Sequence, residues 1–483
     1  MKWSYENDIE IRRYEYDDYP KVEVNLISLD RAEKVIASKN KRIQTKDKTF
    51  EHQGYKGFDF SFSEVLSPME FDSLIILSRF RFLRTIFTQS FIIHGATIHS
   101  SSHFEETFFI EKIEFHDVTF KDDVSFWQAI FLKKVEFNRC TFEKNACFEN
   151  TVFVDEVVFN RCVFENPVNF ALSDTPKTNQ CFYRTIKGGF NDSVFEQKVV
   201  FYHRHFAAIS FNNTKFKKLV DFYQTTFLEP VCFHKTDFED TSVFSKATFK
   251  ELAVFLYTQV SKNMILREAD FQDGVNFSFI NFIGGGNLNV FNLKIEFKLN
   301  KAPKESGAKE IIDDWKSITH LQKRETFRTL KNESIKQNNK IQALEFHQKE
   351  MDSFREELKA TKHCLNMDRL ILAFNRYTNN YGLNWVRGFW VTLGVSIMCF
   401  VLYYISLTTK PIVFTSEVDL GNSFQCIGIV LGYFIQFINP THNVHFMHSY
   451  LGNWSVFWDY LSRIAIGLCI YQTIQAFRKF GKV

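Results

Sequence analysis

Between Phe142 and Phe164 the chain reads FEKNACFENTVFVDEVVFNRCVF, with Phe at 142, 148, 153, 159 and 164. The large apolar positions therefore fall at alternating steps of six and five residues. A helix repeats every 3.6 residues and a strand every two, so neither produces this beat. The alternation extends upstream through Phe126, Phe115, Phe104 and Phe82 to Phe60, and downstream to Phe170. It breaks over residues 171–189, resumes at Phe190, holds to Phe255 and fades towards Leu293. Two residues before most rings stands a small or β-branched residue, as in VTF, CTF, TVF and CVF.

A chain that turns a corner every five residues satisfies this pattern. Four short sides make one square coil, each side sends one large and one small residue inward, and stacked coils pair through backbone hydrogen bonds. Six-residue sides absorb the extra residue in a turn, giving about 22 residues per coil. The rings then fill the axis, which predicts a solid rod with no ligand cavity.

The repeating F-x-x-[CAT]-x-F unit resembles the pentapeptide-repeat family, in the variant with alternating five- and six-residue sides. The resemblance covers about half of the chain. It implies a right-handed quadrilateral β-helix over residues 56–299, preceded by an N-terminal cap over 1–55. It names no reaction, because a fold carries many functions. Some members of the family imitate DNA and inhibit topoisomerases. Here residues 60–297 carry 24 basic against 29 acidic side chains, and EFHDVTFKDDVSFWQAIFLKKVEF mixes the two signs. That is a weak acidic surface for such a mimic.

Beyond residue 298 the periodicity changes. Residues 300–380 read as a cytosolic helical connector, with Phe327, Leu330, Leu344, Met351 and Phe354 at helical spacing on two helices separated by Asn338 and Asn339. FRTLKNESIKQNNKIQALEFHQKEM resembles the connector of membrane-attached pentapeptide-repeat proteins. Residues 381–483 read as a membrane module. Gly388–Leu407 holds twenty residues without a charge, enough to cross ~30 Å of hydrocarbon. A second expected span covers 456–477, and Arg376, Arg387, Arg478 and Lys479 flank the two spans on one side. Positive flanks place that side, the rod and the C-terminus in the cytoplasm of a multi-pass inner-membrane protein. The apolar run over 424–438 is shorter and ends before Pro440. It reads as a re-entrant helix or as a short third span.

Span, re-entrant helix and span resemble the plan of two-transmembrane tetrameric channels, although no TVGYG-like filter follows the short helix. The pore and gating candidates are Gln436, Asn439, Asp459, Ser462, Arg463, Cys469, Gln472 and Thr473. Asp459 and Arg463 sit one turn apart, which allows an internal ion pair, either in a charged ring at a pore mouth or as a structural pair. Ser455, Ser462, Cys469 and Ala476 recur every seven residues, a seam for close helix contact or a pore lining. His442, His445 and His448 form a series that would suit zinc only on a helix, and a loop histidine is the plainer reading.

Nine scattered cysteines without a Cys-x-x-Cys pair, and a charged N-terminus, suggest reduced thiols in the cytosol. The glycines of IGGGNLN lack the Lys-Ser/Thr of a phosphate loop. The sequence thus predicts no enzyme, no catalytic or metal residues and no cofactor. The expected partners are the lipid bilayer, further copies of the chain (a tetramer by the channel plan), a protein docked on the β-helix, and a candidate nucleotide or oligonucleotide ligand. Two functions compete: an oligomeric pore gated by the rod, of the kind antiphage effectors use, and a membrane-anchored interaction scaffold.

Overall fold

The computed structural model describes residues 11–13, 50–52, 55–66, 68–73, 75–76, 79–172, 185–297, 318–360, 367–407, 420–443 and 454–478. Most of the expected N-terminal cap lies outside these residues. The chain divides into two compact units, Met1–Thr326 and Phe327–Val483.

The first unit is a parallel β-solenoid of about ten turns. Its strands, mostly two residues long, line up in four sheets of 6, 10, 12 and 14 strands. Among the described strands, antiparallel pairs occur only near the N-terminus, where Ile11–Arg13 pairs with Ser63–Val65 and Phe50–His52 with Tyr55–Gly57. Register follows the sequence period. Phe115 pairs with Phe137 and Phe137 with Phe159, and the rings stack at 4.8 and 4.6 Å, within 4° of parallel. These Phe side chains are fully buried, so the axis is filled by aromatic carbon.

The corners explain how so short a strand can serve. Glu106, Gln128 and Asn150 at one corner, and Asp117, Arg139 and Arg161 at another, all have φ between 52° and 57°. The left-handed conformation costs a non-glycine residue roughly 1–2 kcal/mol, a strain that stacking and backbone pairing on both sides of each coil offset.

The small residues before the rings have a second task. Thr85 Oγ1 donates to the Phe60 carbonyl at 2.7 Å, Thr151 Oγ1 to Phe126 at 2.8 Å and Cys140 Sγ to Phe115 at 3.3 Å, each reaching 25 residues back to the coil before. A side chain at this position must be short and carry a donor, or be small and apolar like Ala129 and Ala247.

Across the break in the ladder the stacking resumes directly. Phe159 lies on Phe190 at 4.9 Å, Phe164 on Phe195 at 4.7 Å and Phe170 on Phe201 at 5.0 Å. On the fourth face the six-stranded sheet ends at Val152–Phe153. Arg204, two residues before Phe206 and only 1% exposed, takes the small-residue position there. Its Nε donates to the Phe170 carbonyl, 34 residues back, as Ser193 Oγ does to Phe159. Its two terminal nitrogens reach a further coil, to Thr151 O at 2.8 Å and Phe148 O at 2.9 Å. One guanidinium therefore supplies donors for two successive levels.

Among the described residues six helices follow: α1 (His320–Lys336), α2 (Lys340–Ala360), α3 (Met367–Asn379), α4 (Trp385–Ile405), α5 (Leu420–Ile438) and α6 (Ser455–Phe477). Asn338, at φ 58°, turns the chain between α1 and α2. Lys331 bonds Glu350 at 2.7 Å across the pair, and Phe327 meets Phe346 with ring centroids 6.4 Å apart.

The structure adjusts one boundary: α5 starts at Leu420, four residues ahead of the expected 424, taking in Gly421, Asn422 and Ser423 despite their low helix propensity. Among the described residues one helix, α4, is long and apolar enough to cross a membrane. α6 has the length, but Asp459, Arg463, Gln472 and Gln475 make it more polar.

Candidate functional site

The expected site residues gather on α6, and the helix beside it decides what they do. α4 and α6 lie antiparallel. At one end Gly388 faces Thr473, Thr392 Oγ1 and Thr473 Oγ1 lie 3.0 Å apart, and the Trp385 and Phe477 rings are 4.7 Å apart. A Cβ on Gly388 would stand 3.0 Å from Thr473 Oγ1, so this position needs a residue without one for the helices to approach so closely.

The seam is Ser455, Asp459, Ser462, Ile466, Cys469, Gln472 and Ala476, all buried within the single chain. Small residues on such a seam permit close helix contact. Within the single chain they are covered by neighbouring side chains. The outward face of α6 is apolar, with Tyr460, Ile464, Leu468 and Tyr471 each more than half exposed.

At the other end of the pair a polar cluster forms. Asp459 is 1% exposed, and its two carboxylate oxygens meet Arg463 Nε at 2.9 Å and His442 Nε2 at 2.7 Å. Arg463 also donates to the His442 carbonyl at 2.7 Å, and His442 Nδ1 stands 2.6 Å from the Asn439 carbonyl. Ser462 Oγ donates to the backbone oxygen of Asp459 at 2.7 Å. A carbonyl can only accept, so Nδ1 donates to it. The contact between Nε2 and Asp459 then also needs a proton, on the ring or on the carboxyl. The cluster is enclosed by Phe437, 5.7 Å from the His442 ring.

This cluster fixes where α5 ends. Phe437 packs on Phe400 and Tyr403 near the end of α4, at 5.4 and 5.2 Å, and the following turn delivers His442 to Asp459. The chain thus leaves α4 and enters α6 at the same end of the pair. Gln436 on the last turn of α5 and Asn439 just beyond it are exposed. Asn439 Oδ1 accepts from the Thr441 amide and hydroxyl at 3.1 and 2.7 Å, which holds the turn after Pro440.

Between α4 and α5 lies a groove of about 490 Å³, lined by Ile397, Phe400, Val401, Tyr404, Val430, Leu431 and neighbouring apolar residues. Such a wall of carbon suits hydrocarbon and offers nothing to a hydrated ion.

The Gly388 end carries a second polar network. Asn379, fully buried, donates to the Gln472 side-chain and backbone oxygens at 2.7 and 2.8 Å. Gln472 Nε2 donates to Asn375 Oδ1 at 2.9 Å. Gln472 is therefore bonded to α3, while Thr473 meets Thr392 of α4. Asn375, Asn379 and Thr392 are not singled out by the sequence, and neither is the pairing of His442 with Asp459. His445 and His448 lie outside the described residues, and among those described no group of three His, Cys, Asp or Glu could hold a metal.

No protein-family model, curated protein or solved structure matches the chain. Its function must therefore be argued from this geometry.

Proposed function

We propose that the chain is a membrane-anchored interaction scaffold, with the solenoid as docking surface and α4–α6 as the multi-pass anchor in the inner membrane, rod and C-terminus cytoplasmic. The four sheets and the residue-for-residue stacking support the square-coil pentapeptide-repeat type. One observation carries the reading: every polar candidate on the seam, Asp459, Ser462, Cys469 and Gln472, is buried against neighbours of its own chain. A buried, hydrogen-bonded set of this kind specifies how helices assemble and leaves the solenoid's outer faces as the available functional surface. Those faces carry neutralised ladders one coil apart, Arg84 with Glu106 at 2.8 Å and Asp117 with Arg139 at 2.5 Å, which suits a mixed-sign protein partner better than imitation of a nucleic acid.

A second reading, the homo-oligomeric pore gated by the rod, is favoured by α5. It is an apolar helix whose last turn lies where the chain leaves α4 and enters α6, with Gln436 and Asn439 exposed there. In that reading α5 lines the path, four copies surround it, and an antiphage nucleotide or oligonucleotide signal opens it. Ion flux through liposomes containing the purified full chain separates the two. A scaffold passes no ion with or without added nucleotides, and a current abolished by Gln436→Leu would replace the scaffold with the pore.

A further inference from the structure

We infer that α3 is a membrane-surface helix: its apolar stripe rests in the cytoplasmic-side lipid monolayer beside the foot of α4. This rests on the membrane reading above and adds a lipid contact to a segment that the sequence assigned to the cytosolic connector.

Met367, Leu370, Ile371, Phe374 and Tyr377 fall at successive steps of three, one, three and three residues, which puts them on one face of a helix. All five are exposed, by 70, 57, 54, 37 and 63%. The opposite face is occupied, with Leu372 and Asn379 buried and Asn375 and Asn379 bonded to Gln472 of α6. Arg376, on the occupied side of the helix, pairs with Asp352 of α2 at 2.8 Å. A helix with one satisfied polar face and one bare apolar face needs a cover for the second.

The cover is identified by what the stripe continues into. Asn380, Tyr381 and Gly382 turn the chain with φ of 54°, 55° and 84°. Hydrogen bonds from the Gly382 amide to Asn379 Oδ1 at 3.0 Å and from Asn384 N to Asn379 O at 3.0 Å lock this turn. Directly after it, α4 exposes Trp385, Val386, Phe389 and Trp390 on its first turns. Aromatic residues at the start of the one membrane-competent helix among the described residues belong at the headgroup level. Exposed Arg387 and Arg478 flank the same end, where anionic headgroups would meet them. The stripe of α3 and the aromatic foot of α4 are thus joined by a fixed turn at one level, and amphipathic helices at that level bury their apolar face in lipid.

The test places the photoreactive residue p-benzoylphenylalanine at 371 or 374 of the full chain, reconstituted in phosphatidylethanolamine–phosphatidylglycerol vesicles. Position 397 on exposed α4 serves as the lipid-facing control and position 112 on the solenoid as the water-facing one. Replacing Phe374 changes shape least, so that variant guards against misfolding at 371. Irradiation should give lipid adducts at 371 and 374 as at 397, and none at 112. Lipid adducts at 397 with protein cross-links or no adduct at 371 and 374 overturn the inference and leave the anchor standing. No lipid adduct at 397 either removes the membrane reading itself.

Discussion

Arg204 offers the sharpest test of how the solenoid tolerates a break. Replacing it with Met keeps most of the volume and removes the charge. Removing a buried charge together with its partners is often harmless, but here the acceptors are backbone carbonyls of Phe170, Thr151 and Phe148, which stay behind. Phe148 O keeps the Thr151 amide at 3.2 Å, so the damage concentrates on the other two. A buried acceptor losing its donor costs roughly 1–3 kcal/mol. With some recovery from the Met side chain, the net loss is about 2–4 kcal/mol. Because coils contact only their neighbours, the loss should be local. Hydrogen exchange of the full chain in detergent should show faster exchange at the amides of 148–153 and 199–206, while coils near Phe233 keep their protection. Arg204→Lys, which retains charge but not the planar fork, should fall between. Unchanged protection in Arg204→Met would refute the assignment of this side chain as the support of the break.

Further outcomes follow from the same structure. Phe137→Ala removes a ring stacked on both sides and should destabilise its coil by about 3–5 kcal/mol, read as a lower denaturation midpoint, with Phe137→Leu costing less. Asp459→Asn strips both charge-assisted bonds from Arg463 and His442 and should lower the melting temperature in detergent more than Cys469→Ala; equal effects would deny the cluster its role. Burial alone would raise the Glu350 carboxyl, but His347 and Lys331 outweigh it and hold it below its ordinary value. Its contribution is therefore complete above the unfolded carboxylate value and lost as pH falls through the lower folded one. Circular dichroism from about pH 6 to about pH 3 should show an acid loss of helix that is reduced in Glu350→Gln. Burial pushes the Cys232 thiol up to about 11 and Cys162 well above its ordinary value, so both should resist alkylation until the solenoid is unfolded.

The solenoid was legible because its period is local: each Phe announces the next corner, and the small residue before it announces the bond to the coil below. Arg204 was legible in principle, since an Arg stands where the pattern asks for a Thr or Ala just after the ladder breaks, but its three acceptors lie 34 to 56 residues back. On α6 the seven-residue recurrence and the Asp459–Arg463 pair could be read from spacing alone. What covers them could not. His442 reaches Asp459 from 17 residues away, and Asn379 reaches Gln472 from 93, distances over which periodicity carries no information. The first turn of α5 is not legible because Gly421, Asn422 and Ser423 are neither apolar nor good helix formers, so hydropathy marks only where the helix becomes apolar.

Closed coils in matching register make length a counted quantity. Deleting residues 104–125 would join Phe82 and its corner to an identical coil, and a duplication would insert one, with every ring still above another. The reach of the solenoid can therefore change only in increments of one strand spacing, ~4.8 Å. Variation in coil number would act on this protein as graduations act on a ruler, moving whatever binds one end relative to the other without redesigning either.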